Sequence, residues 1–173
     1  ADPVVADAAA EVDAERAAPV LLFDATGREA NLSADGQRLL FTREGMDLYR
    51  KGYHGSRSAQ IWLADGLEKP SARFRRMSAT ELDRGARSPQ WLADGSGYYY
   101  LGAQGEIGIF ELRHYDIASK ADTQITDSDG AFPVLRPRLC RDGSMLVFQR
   151  GFDLFRHDVR DAAEDKEVKE GKE

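Results

Sequence analysis

Cysteine is almost missing from this chain: Cys140 is the single copy in 173 residues. One thiol excludes an internal disulfide and a thiolate metal cluster. That suits a reducing compartment, but a disulfide-free periplasmic protein reads the same way, so location stays open between cytoplasm and periplasm. Long apolar runs are also missing. None approaches the roughly 18 residues a membrane helix needs, so no membrane insertion by a helix is expected. Positive charge is in deficit, with 24 Lys and Arg against 30 Asp and Glu and a net charge of -6. An acidic balance disfavours non-specific binding to nucleic acid or to anionic lipid. Catalytic signatures are lacking as well: there is no Gly-x-Ser-x-Gly elbow, no P-loop and no His-Glu-x-x-His. The first residue is Ala1 and not Met, so a processed or excised piece is expected, with no signal peptide in view.

What remains is ordinary globular material, 42% hydrophobic and 31% charged, long enough for one domain with a core. Its organising feature is a repeated stretch. Trp91-Leu92-Ala93-Asp94-Gly95-Ser96-Gly97-Tyr98-Tyr99-Tyr100 has relatives from Leu32 to Phe41 and from Leu139 to Phe148. Asp-Gly between apolar runs predicts a hairpin with a two-residue type I′ turn, which needs positive φ at both central positions. Three residues before each Asp stand Leu32, Trp91 and Leu139. Four to six after it stand Leu39-Leu40-Phe41, Tyr98-Tyr99-Tyr100 and Leu146-Val147-Phe148. Such runs predict strands buried on both faces.

Around each hairpin the other strands follow. Residues 1–19 are rich in Ala, Asp and Glu and are expected to be a linker or disordered terminus. Val20-Leu21-Leu22-Phe23-Asp24 is predicted as a buried strand. Gln60 to Asp65 is another, and Arg73-Phe74-Arg75-Arg76-Met77 suits an outer strand, where charge blocks edge-to-edge pairing. Ile109 to Ile117 and Thr123 to Thr126 complete the second unit, giving four short antiparallel strands. Gly151 to Val159 continues the third, and no fourth strand follows it. Residues 161–173 are a mixed-charge tail. The expected class is therefore all-β: β-propeller blades of four-stranded antiparallel sheets, about three repeats near 30–78, 86–127 and 133–160 within a 20–160 region. The turn aspartates are 59 residues (35 to 94) and 48 residues (94 to 142) apart. Both exceed the ~40–45 residues of a common blade, the first through an insertion near 43–59. Known propellers have ~4–8 blades, so three make an incomplete propeller.

Ser-x-Asp-Gly, an apolar triplet, and a strand ending in Asp resemble the TolB/tricorn-type propeller repeat. Ser33-Ala34-Asp35-Gly36 keeps the family's Ser, Trp91 to Gly95 keeps its Trp, and Leu139 to Gly143 keeps only Asp-Gly; the family's Pro is absent from all three. Tyr115-Asp116-Ile117-Ala118-Ser119-Lys120 is close to the family's blade ending. The order Phe41-Thr42-Arg43, Tyr49 to Tyr53, Ala59 to Leu63, Gln90-Trp91, Phe110-Glu111-Leu112 and Gly151 to Leu154 resembles the N-terminal propeller of tricorn-like serine peptidases. That resemblance implies a non-catalytic segment that scaffolds and gates peptide access to a peptidase domain of the parent chain. The alternative is a TolB-like protein–protein interaction module without peptidase function. A third class, a metal-dependent hydrolase on propeller blades, needs a carboxylate or His cluster that this sequence does not display.

No catalytic, cofactor or metal residue is assigned. His54 near Ser56 would make a dyad, but a Gly-flanked loop contact explains it better. His114 and His157 fall in corresponding strands, so the repeat accounts for them without a shared metal. Asp127-Ser128-Asp129-Gly130 opens like a calcium loop but lacks the closing Glu. The basic and aromatic insertion supplies the expected peptide or partner contacts: Arg43, Arg50, Lys51, Tyr53, His54 and Arg57. Expected partners are a peptide or protein and the remaining blades, not nucleic acid, with self-association left open.

Overall fold

A computed structural model describes residues 21–22, 26–44, 55, 57–67, 73–77, 85–104, 108–128 and 131–159. Among these there is no helix. Eleven strands form three antiparallel sheets, each a meander of consecutive segments. The first sheet holds β1 (Gly27–Leu32), β2 (Arg38–Arg43), β3 (Gln60–Asp65) and β4 (Arg73–Arg76). The second holds β5 (Ala86–Trp91), β6 (Gly97–Gln104), β7 (Ile109–Asp116) and β8 (Asp122–Gln124). The third holds β9 (Val134–Leu139), β10 (Met145–Arg150) and β11 (Asp153–Asp158). No fourth strand joins the third sheet among the described residues.

The sheets stack face to face through the leading strand of each. β5 lies against β1, β2 and β3, and β9 lies against β5, β6 and β7. This explains why β6 is apolar at consecutive positions. Successive side chains point to opposite faces, and β6 has a neighbour on both. Tyr98 and Tyr100 enter a core with Leu40, Ile61, Leu63, Ala86 and Trp91. Tyr99 and Leu101 enter another with Leu112, Val134, Leu146 and Phe148. The second sheet is thus the middle blade. Its outer strands are tied by Arg113, whose Nε donates to Asp122 Oδ1 at 3.0 Å and whose Nη1 donates to Gln124 Oε1 at 3.1 Å. Tyr100 donates to Asp122 Oδ2 at 2.7 Å.

The Asp-Gly connections are longer than a two-residue turn. β1 ends at Leu32 and β2 begins at Arg38. Gly36 N donates to Ser33 O at 2.9 Å, and Ser33 N to Arg38 O at 2.9 Å. Only the glycines take positive φ: 72° at Gly36, 70° at Gly95 and 76° at Gly143. The type I′ expectation is therefore corrected. The Asp side chain replaces the second left-handed residue by accepting from the backbone two residues on, at 3.0 Å from Gln37 N, 2.9 Å from Ser96 N and 3.0 Å from Ser144 N.

Two further expectations change. Leu21 and Leu22 are 80% and 59% exposed and belong to no strand, so the predicted strand at 20–24 fails at these two positions. No strand of the first sheet pairs with them; Val20, Phe23 and Asp24 lie outside the described residues. Leu32 is 53% exposed where Trp91 is 4%. No sheet precedes β1 among the described residues, so β1 lacks the covering neighbour that buries β5.

One repeated feature has no counterpart among the sequence expectations. Six residues before each turn Asp, a non-glycine residue is left-handed: Glu29 at 51°, Ser88 at 53° and Arg136 at 51°. Each sits where the pairing register slips by a bulge. Such a residue interrupts the ladder and re-aims a side chain.

Candidate functional site

The ends of the three leading strands converge on a groove of about 220 Å³. The first blade contributes Asn31, Leu32 and Ala34. The second contributes Gln90 to Ala93, and the third contributes Leu139, Cys140 and Arg141. These are the same repeat positions, four to one residues before each turn Asp, taken from each blade in turn. The groove therefore exists only because the blades stack. Leu32, Leu92 and Leu139 are its large apolar residues beside the buried Trp91, and Asn31, Gln90 and the cation Arg141 are among its polar ones. Arg38 stacks on the Trp91 ring from the first blade, 4.7 Å from its centroid.

Polar clamps hold the blades in register beside this groove. Asn31 Oδ1 accepts from Trp91 N at 2.7 Å, and Gln90 Oε1 accepts from Leu139 N at 3.4 Å. Both bonds run from the residue four before one turn Asp to the residue three before the next. Glu29 forms the stronger clamp. Its carboxylate accepts from Arg87 Nη2 at 2.6 Å, from Thr42 Oγ1 at 2.8 Å and from Ser88 N at 3.0 Å. Burial pushes its pKa up, but the bonds from Arg87, Thr42 and Ser88 outweigh that and hold it below the ordinary glutamate value. At the second junction Glu111 does related work. It accepts from Arg150 at 3.2 Å, from Thr126 Oγ1 at 2.5 Å, and from the backbone and hydroxyl of Ser128. Ser128 is thus a link in the junction, and Asp129 and Gly130 of the calcium-like stretch lie outside the described residues.

The turn aspartates follow directly on Ala34, Ala93 and Arg141 of the groove. Their pKa values are lowered, by the Ser33 hydroxyl and Gln37 N at Asp35, by Ser96 at Asp94, and by the Cys140 thiol and Ser144 at Asp142, which falls to about 2. A carboxylate with a depressed folded-state pKa adds stability that is present above its unfolded value, near 3.9, and lost as pH falls through the folded one. The urea midpoint is therefore expected to fall between about pH 4 and pH 2. Asp142→Asn should flatten that loss measurably in equilibrium melts followed by tryptophan fluorescence.

The two histidines fall in corresponding strands, β7 and β11, as the repeat predicts, but at different positions along them. Antiparallel pairing sets Tyr99 opposite His114 and Val147 opposite Arg156. The repeat counterpart of His114 is therefore Arg156, not His157. His114 and His157 instead meet across the junction of the second and third blades. They flank Tyr99, with ring centroids 5.1 and 5.7 Å away. Burial pushes both below the ordinary histidine value, so both are neutral near pH 7. No group of three or more metal-type ligands forms among the described residues.

Of the six contact residues expected from the insertion, Arg43 and Arg57 are described. Arg43 ends β2, its guanidinium 5.1 Å from the Trp62 ring and 3.6 Å from Glu44. Arg57 is exposed in the turn before β3. Neither lines the groove. Arg43 and Gln60, which pair where β2 ends and β3 begins, stand at the end of the sheet opposite the Asp-Gly turn. Arg50, Lys51, Tyr53 and His54 lie outside the described residues.

No family model matches the chain, and no curated protein does. Solved structures do. A putative TolB from Agrobacterium tumefaciens matches with a TM-score of 0.61 and 15% identity, over 82% of this chain and 49% of that one. TolB from Acinetobacter baumannii matches with a TM-score of 0.58 and 18% identity, over 79% of this chain and 31% of that one. The chain thus spans less than half the length of either. An acylaminoacyl peptidase complexed with Z-Gly-Gly-Phe-chloromethyl ketone reaches a TM-score of only 0.38, which carries no argument. The fold is a TolB-like β-propeller, of which this chain supplies three stacked blades, an incomplete ring.

Proposed function

We propose that the chain is a protein-binding propeller module, non-catalytic in itself, which receives a peptide segment in the groove at the ends of β1, β5 and β9. The observation that carries this is the groove's construction. It is lined by corresponding residues of all three blades, with Leu32, Leu92 and Leu139 set among the polar groups of Asn31, Gln90 and Arg141. A peptide offers backbone donors and acceptors as well as apolar side chains, so a groove that mixes both suits it. The likeness to TolB structures supports the scaffold half of the reading.

Selection of random-sequence peptides on the immobilised chain tests it. Binders are expected to lose at least about tenfold in affinity against Ala34→Trp, which fills the groove from an exposed position, while the melting curve stays unchanged. Binders indifferent to Ala34→Trp, or no binders, would overturn the groove as the site. Cleavage of the selected peptides would overturn the non-catalytic part.

The narrower reading is a propeller that admits peptide to a tricorn-like serine peptidase core. The ordered run from Phe41 to Leu154 favours it, as does the basic and aromatic composition of the insertion. In that arrangement Arg43, Arg50, Lys51, Tyr53, His54 and Arg57 would contact the entering peptide. The coding sequence downstream of this segment separates the two readings, since only the peptidase reading requires a catalytic domain there.

A further inference from the structure

The outer face of the third blade differs from the corresponding faces of the first two, and the repeat shows how. Each of the first two blades presents the same positions to the leading strand of the next. In β2 these are Leu40 and Thr42; in β6 they are Tyr99 and Leu101; in β10 they are Val147 and Gln149. Opposite them stand Leu63 and Ile61, then His114 and Leu112, then Arg156 and Leu154. The first two sets are covered by β5 and β9. No described strand covers the third: Leu154 is 78% exposed and Phe152, the counterpart of Phe110, is 98% exposed.

The electrostatics of this face are reversed. At the first junction the left-handed residue is Glu29, and it meets Arg87, seven before the next turn Asp, at 2.6 Å. At the second junction the same two positions hold Ser88 and Leu135, neither charged, and the ion pair moves to Glu111 and Arg150. On the third face the left-handed residue is Arg136. Its φ of 51° equals that of Glu29, so its side chain leaves the strand in the same direction. The clamp position is changed as well. Asn31 and Gln90 offer an amide oxygen to the incoming strand, whereas Arg138 offers only donors. Arg136, Arg138 and Arg156 are all exposed.

We propose that this face docks the leading strand of a further propeller blade that carries a carboxylate seven residues before its own turn Asp, where the second blade carries Arg87. A second copy of this chain is a poor occupant. Its own leading strand would bring Arg28 to that position, against Arg136, and like charges at fixed register reject a partner. The proposal rests on the repeat geometry and is independent of the groove.

The test is an NMR titration of the full chain with two synthetic peptides spanning residues 85–93, which copy β5. One is unsubstituted and the other carries Arg87→Glu. The Glu peptide is expected to bind at least about fivefold more tightly, since an exposed repulsion becomes an attraction. The shifted amides should include Leu135, Val147 and Leu154, and the preference should weaken in high salt. Arg136→Glu in the protein should reverse the preference; Glu is tolerated at that φ, as Glu29 shows. Equal affinities, or no shifts at ~2 mM peptide, would overturn the proposal. So would a chain that sediments as a dimer broken by Leu154→Asp, because that places a second copy on the face.

Discussion

Glu29→Ala is expected to cost about 2–3 kcal/mol, although it removes one carboxylate from a strand that is exposed along most of its length. The reason lies in what it leaves behind. Arg87 is 8% exposed, and its guanidinium would lose the acceptor at 2.6 Å. Ser88 N would lose one of its two acceptors and keep only Thr42 Oγ1 at 3.0 Å. A buried charge without a partner costs more than the pair was worth, and partial exposure of the carboxylate keeps the figure below that of a fully buried pair. The double variant Glu29→Ala with Arg87→Met should recover much of the loss, because it removes the stranded cation too. Urea midpoints of the wild type, both single variants and the double variant measure the coupling. A double variant as unstable as the sum of the singles would show that the clamp contributes nothing as a pair.

Tyr98→Ala should be more damaging still, by about 3–5 kcal/mol. Tyr98 is 1% exposed. Its ring lies 6.2 Å from Trp91, 5.7 Å from Tyr100 and 5.3 Å from Tyr115. Its removal opens a cavity between the first and second blades that β6, paired on both sides, cannot collapse to fill. Phe152→Ala is the control: at 98% exposure it should change stability by no more than about 0.5 kcal/mol. Tryptophan fluorescence reads both, since Trp91 stands beside Tyr98.

These two variants also mark what a sequence can and cannot disclose. Tyr98 was legible as core, because an apolar triplet four residues past an Asp-Gly recurs three times and only stacked sheets bury both faces of a strand. Most strands fell where alternation and turn residues put them, Gln60 to Asp65 among them. The turn itself was misread. Asp-Gly signals a hairpin, but the geometry of the connection depends on how the aspartate side chain is used. Glu29 was illegible, since its partner is 58 residues away and nothing local distinguishes it from any exposed glutamate. The groove was hidden for the same reason: each of its walls is an unremarkable strand end until three are brought side by side. One signal was available and unused. Ser88-Pro89 and Arg136-Pro137 share an offset from the turn, and a proline there marks the interrupted ladder.

The meander order of the sheets bears on how this chain folds. Every described strand pairs only with its neighbours in sequence, so sheet pairing is local along the chain, and apart from the β2–β3 connection little chain entropy is lost before contacts form. Association between blades then adds nearest-neighbour terms, as in a one-dimensional array. The middle blade has a partner on each side and each end blade has one. Opening should therefore begin at the ends and reach Tyr98 and Leu112 last, so amide exchange should be slowest in β6 and β7.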